Sequence, residues 1–196
     1  WQQGLLQIFE AVQANKPFIL NVYRCVHREQ VEKYLIDNGM ADKKRAEVLS
    51  IISGGSIGKA LALENDDSIP RLRDELIQKL IACLESRKKP LYDLIVFLKK
   101  NNAWFKDLSG ILTTWFEDVM RLKFGGSPEF ITNADKALEV QKFSRAITKS
   151  SALALCDAVT KYSLAIDKNA NYSVAVQCMA MECWEEIHGR NYRSAL

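Results

Sequence analysis

The sequence predicts an all-α protein, and three observations carry that expectation. Apolar residues recur at spacings of three and four through most of the chain, the period of a helix with one buried face. The interruptions between these stretches are short clusters of Gly, Pro, Asn and Asp, which end one helix and start the next. No segment other than the apolar run Phe18-Ile19-Leu20 reads as a strand. With 48% hydrophobic and 26% charged residues among 196, the chain has the make-up of a globular protein able to bury one sizeable core or two smaller ones.

Leu5, Leu6, Ile8, Phe9 and Val12 form the apolar face of a first short helix, which Lys16-Pro17 is expected to end. Phe18-Ile19-Leu20 then reads as the remnant of a sheet, because a lone strand has nothing here to pair with. From Glu29 a second helix places Val31, Tyr34 and Leu35 on one side and Arg28, Glu32 and Lys33 on the other, and stops at Asn38-Gly39. Asp42 caps the next helix, whose apolar residues Ala46, Val48, Leu49 and Ile52 run up to Gly54-Gly55. Ser56 starts another, reaching about Glu64 and completing a three-helix unit. A polar break at residues 65–68 sets a domain boundary near Asn65, after which Ser68-Ile69-Pro70 supplies an N-cap and a proline in the first turn. Helical spacing then recurs over 72–84, 91–98, 105–124, 134–147, 152–166 and 173–187, which gives about six further helices.

The corner ISGGSIGKALAL at 52–63 brings a Gly-Gly stop and a Ser start together, and it nearly spells a phosphate-binding loop. That loop requires G-x-x-x-x-G-K-[ST]. Counting back from Gly58-Lys59, the first glycine position holds Ser53, and the hydroxyl position holds Ala60. Both failures exclude a Walker-type site. What remains is a closely packed helix–helix corner formed by Gly54, Gly55, Ser56, Gly58 and Lys59.

Little else in the chain points to chemistry. Lys and Arg exceed Asp and Glu by 27 to 24, a net charge of +3, so overall charge does not single out nucleic acid as a partner. Five scattered cysteines, Cys25, Cys83, Cys156, Cys178 and Cys183, suit a reducing compartment rather than a disulfide framework. Cys25 with His27, and Cys178 with Cys183, lack the close C-x-x-C spacing of a metal site. His27 and His188 belong to no nucleophile–base signature, and the adjacent carboxylates of Asp66-Asp67 and Glu185-Glu186 diverge on a helix. The expectation is no catalytic residue, no metal and no cofactor in this chain. Lys43-Lys44-Arg45, Arg87-Lys88-Lys89 and Lys99-Lys100 are small basic clusters, some at helix ends where cations are favoured; the last lies close to Trp104-Phe105. No apolar run spans a membrane, so a cytoplasmic, membrane-free protein is expected.

Two helices carry apolar faces wide enough for burial on more than one side. One includes Ile111, Trp115, Phe116 and Val119, the other Met179 and Trp184. Such a stripe serves either the core or a subunit contact, and these six residues are the candidates for a subunit interface.

Residues 29–63, with EQVEKYL followed by a second helix, ISGGSIGKAL and a third helix, resemble the lid domain of bacterial clamp-loader AAA+ subunits. The part from about Ile69 onward is similar to the helical collar domain of the same subunits, including an Asn-rich break at Asn169-Ala170-Asn171 before a last helix. LLQIFEAVQANKPFIL at 5–20 is similar to the end of an AAA+ base domain. The resemblance implies a partial base remnant at 1–21, a lid-like domain at 22–65 and a collar at 66–196. It also implies partners: the ATPase and delta subunits of the DNA polymerase III clamp loader, with the sliding clamp and primed DNA reached through the complex. ATP-hydrolysing relatives carry a sensor-2 arginine near the start of the third lid helix, where this chain has Gly58 beside Lys59. That departure implies a non-hydrolysing subunit in a complex whose overall activity is that of a DNA-directed DNA polymerase. The competing readings are an ATPase subunit of the same loader, or another AAA+ protein, and a free-standing helical nucleic-acid-binding module.

Overall fold

The computed structural model describes residues 16–64 and 67–189, with side chains from residue 27 onward. Every regular element among them is helical, and the chain divides into two compact units, Trp1–Asp67 and Ser68–Leu196.

In the first unit α1 spans Lys16–Asp37, α2 Lys43–Ser53 and α3 Ile57–Glu64. The strand expected at Phe18-Ile19-Leu20 is not formed: these residues lie in α1, which also runs without a break through positions 21 and 22. The physical reason is Pro17. In the first turn of a helix the missing N–H of proline has no partner to lose and its φ is already helical, so Lys16-Pro17 begins a helix rather than ending one. The helix expected over residues 5–12 lies outside the described residues.

The end of α1 is a Schellman turn, with Gly39 N–H donating to Ile36 O at 3.0 Å and Met40 N–H to Leu35 O at 2.9 Å. Asp42 Oδ1 accepts from Arg45 N–H at 2.8 Å and so caps α2. Arg45 also ties the end of the unit to α2, pairing with Asp67 at 2.6 Å and donating to the carbonyl of Glu64. Val31 and Leu35 of α1, Ala46 and Leu49 of α2, and Ala60 of α3 are fully buried among one another.

The second unit contains α4 (Ser68–Ala82), α5 (Lys88–Lys100), α6 (Phe105–Lys123), α7 (Ala137–Ala146), α8 (Lys149–Asp167) and α9 (Tyr172–His188). Packing runs from α4 to α5, on to α9, α8 and α6, and back to α4, so these five helices close a ring, with α7 laid against α6. Leu76, Leu98, Leu108, Trp115, Leu155, Val159, Val176 and Met179 fill its centre. Thr148 and Asn171 cap α8 and α9, accepting from Ser151 N–H and Val174 N–H, each at 3.1 Å. Three single-turn 3-10 segments, Asn102–Trp104, Pro128–Phe130 and Ala134–Lys136, join the helices around α6 and α7.

Candidate functional site

The corner residues singled out from the sequence sit where α2 turns into α3. Gly54 takes a left-handed conformation, φ 62°, and its N–H bonds Ile51 O. Gly55 follows at φ 86°, and a Cβ there would stand 2.6 Å from His27 Cβ on α1. Glycine is therefore required at 55 twice over, by backbone conformation and by the close approach of α1. Ser56 Oγ accepts from Lys59 N–H at 3.3 Å, and Ser56 O from Ala60 N–H at 2.9 Å, which starts α3. Ser56, Gly58 and Lys59 face solvent. A Cβ at Gly58 would meet nothing within 4 Å, so the corner does not require glycine there.

The six candidates for a subunit interface lie on α6 and α9. Ile111, Trp115, Phe116, Val119, Met179 and Trp184 are all buried inside the second unit. Trp115 and Phe116 close on Phe143 of α7, with ring centroids 6.2 and 5.9 Å apart, and Trp184 lies 4.5 Å from the His188 ring. The width of the two stripes reflects burial on several sides within the ring. Exposed apolar residues occur at several places on this unit, Phe124, Phe130, Leu138, Leu153 and Leu164 among them, and two packed helices, α5 and α9, carry four: Tyr92 is 67% exposed, Val96 44%, Val174 59% and Met181 43%. These residues occupy the sides of the two packed helices opposite their buried stripes, and Lys99 Nζ bridges the helices by donating to Gln177 Oε1 at 2.9 Å.

A buried polar network escaped the sequence reading. Arg73, 1% exposed on α4, donates to both carboxylate oxygens of Asp135 and to Asn133 Oδ1, each at 2.8 Å. Asp118, fully buried on α6, accepts from Thr132 N–H and Asn133 N–H at 2.7 Å, from Asn133 Nδ2 at 2.8 Å and from Arg121 at 2.9 Å. Together they fasten the 127–136 loop onto α4 and α6. A signal for it was present: Arg73 and Asp118 each stand within an apolar helical stripe, between Ile69 and Leu76 and between Trp115 and Leu122. Both terminal nitrogens of Arg73 and both oxygens of Asp118 are bonded, while Arg73 Nε is buried without an acceptor; the network orders the loop.

The remaining titratable groups fit the same picture. Burial, helped by the Asp93 carboxylate, pushes the Cys83 thiol up to about 12, and burial raises Cys183 further; neither is a nucleophile at neutral pH. Cys25 lies outside the described side chains. No cluster of three His, Cys, Asp or Glu residues suited to a metal occurs among the described residues. An open cleft of about 420 Å³ between α4 and the start of α5 is lined by both signs, Glu75, Lys79, Glu85, Arg87 and Asp93 among them. Glu85 and Arg87 pair at 2.6 Å, so the cleft has no net pull for a charged ligand. No described helix is long and apolar enough to cross a membrane.

Comparison with known proteins gives two family matches. A model described as "Transcriptional regulator C-terminal region" matches residues 1–40, a fifth of the chain. No curated protein and no solved structure gives a match. The other family model covers residues 71–177, more than half of the chain, from inside α4 to inside α9 of the six-helix unit. By that match, the chain belongs to the family "DNA polymerase III, delta subunit, C terminal".

Proposed function

We propose that this chain is the lid and collar region of a non-catalytic clamp-loader subunit of the delta-prime type, helping to assemble the loader that places the sliding clamp on primed DNA. The observation that supports a clamp-loader role is the family match, which falls on the six-helix unit; the choice of the delta-prime type is our own and rests on the lid corner. In this reading residues 22–65 serve as lid and 66–196 as collar, and the protein works in the cytoplasm beside the ATPase and delta subunits. Gly58 favours the non-hydrolysing type. The position has room for a side chain, so the absence of a sensor-2 arginine is not forced by the fold. The neighbouring subunit would cover the outer face of α5 and α9, where Tyr92, Val96, Val174 and Met181 lie exposed on two helices that pack against each other. Burying several hundred Å² there at about 25 cal/mol per Å² gives a gross gain of roughly 10 kcal/mol, before association costs of similar size.

The test is assembly of the chain with purified ATPase and delta subunits, read by mass in solution at moderate salt. A defined complex is expected, with Val174→Glu and Met181→Glu together removing it while leaving the melting temperature of the chain unchanged. Failure to assemble, or assembly indifferent to both substitutions, overturns the reading or its interface respectively.

A further inference from the structure

One end of the second unit gathers features that its own folding does not explain. Tyr172 at the start of α9 donates to Leu98 O at the end of α5, 2.6 Å, and stacks edge-on against Phe105 at the start of α6, 5.3 Å between centroids. These contacts draw the turn between α5 and α6 toward the turn between α8 and α9. Exposed on this end are Lys100, Trp104, Lys106 and Lys168.

Folding accounts for part of this set. Lys100 and Lys168 lie at helix C-termini, where a cation is favoured. Lys106 does not fit that rule: it stands in the first turn of α6, at the positive end of the helix. Trp104 is also anomalous. Its neighbour Phe105 is buried, whereas the Trp104 indole, on a single 3-10 turn, remains 36% exposed. The acidic residues at this end, Asp107 and Asp167, number half the cations once Lys99 is included.

An exposed aromatic ring on the same end of a unit as several exposed lysines is the recognition chemistry of single-stranded nucleic acid. Bases stack on the ring while phosphates meet the cations, and neither contact depends on sequence. We propose that this end of the unit binds single-stranded nucleic acid, stacking one base on Trp104 and placing neighbouring phosphates against Lys100, Lys106 and Lys168. Its proposed contact residues are not those of the α5–α9 outer face, and the proposal does not depend on the clamp-loader reading.

The test titrates a fluorescently labelled twelve-nucleotide oligothymidylate with the full chain, following anisotropy across a series of salt concentrations. Three phosphate contacts predict a slope of about −2 in log K against log salt. Trp104→Leu, which keeps the apolar contact with the bundle but removes the stacking face, should weaken binding about tenfold with little change in slope. Trp104→Phe should recover most of that loss. Lys106→Gln should reduce the slope by about 0.7. Circular dichroism establishes that each variant is folded. Absence of salt-dependent binding overturns the proposal, as does binding that Trp104→Leu and Lys106→Gln both leave unchanged.

Discussion

Gly54 and Gly55 share a positive φ, yet they bear different loads. At Gly54 a side chain would face open space, and at Gly55 it would run into His27 of α1. Gly54→Ala therefore carries the backbone cost alone, about 1 kcal/mol. Gly55→Ala adds a clash with an atom fixed close to a helix backbone, for a total of about 2–4 kcal/mol. Urea denaturation of the two variants checks this; equal losses would show that α1 yields freely at the corner. Titration offers a second residue-scale measurement. Burial raises the Cys83 thiol from 9.0 to about 12 and the Tyr172 phenol from 10.0 to about 12. Both groups keep their proton longer in the folded chain, so the stability they contribute is complete below pH 9 and declines as pH rises toward 12. Melting temperature should fall across this alkaline window, and Cys83→Ala should flatten the decline. A profile identical to that of the parent chain would exclude Cys83 as a source.

The 127–136 loop illustrates how an element depends on side chains distant in sequence. Removing the Asp118 carboxylate by Asp118→Ala leaves two backbone N–H groups and the Asn133 amide without their acceptor, and Arg121 with the Phe130 carbonyl alone. The expected loss is about 3 kcal/mol or more, with amide hydrogen exchange quickening at Thr132 and Asn133 before the helices unfold. Protection retained at those amides would mean that Arg73 and the 3-10 turns hold the loop without Asp118. The same element marks the limit of what periodicity reveals. The positions of α4 to α9 were legible because each buries a stripe at helical spacing between polar breaks. The Asp118–Asn133 and Arg73–Asp135 pairings were not, since they join residues 15 and 62 positions apart, and only three-dimensional closure brings these together. The candidates for a subunit interface illustrate a related limit. A stripe such as Ile111, Trp115 and Val119 announces burial but not what buries it, and here α7 and α8 cover α6. Pro17 was misread because its effect reverses between the first turn of a helix and its interior.

At the scale of the molecule, the family match and the physical unit have different edges. The match covers 71–177, opening inside α4 and closing inside α9, whereas the unit begins at Ser68 and its last described helix ends at His188. The difference at the C-terminal side is energetically large. Beyond residue 177 lie Met179, Ala180, Cys183 and Trp184, all buried, and His188, whose Nε2 is 2.8 Å from Cys83 O at the end of α4. A large apolar side chain contributes about 1.5–3 kcal/mol on burial, so Met179 and Trp184 alone supply roughly 3–6 kcal/mol. Domains of this size are stable by only about 5–15 kcal/mol. A fragment limited to residues 71–177 would also expose the inner sides of α5 and α8, against which α9 packs. That fragment is expected to be unfolded or molten, whereas residues 68–189 should melt cooperatively, at the temperature of the corresponding transition in the full chain. Scanning calorimetry of the two fragments distinguishes these outcomes. A cooperative, native-like transition in the shorter one would mean that the ring closes through α4, α5, α6 and α8 without α9, and that the second half of α9 belongs to an interface rather than to the core.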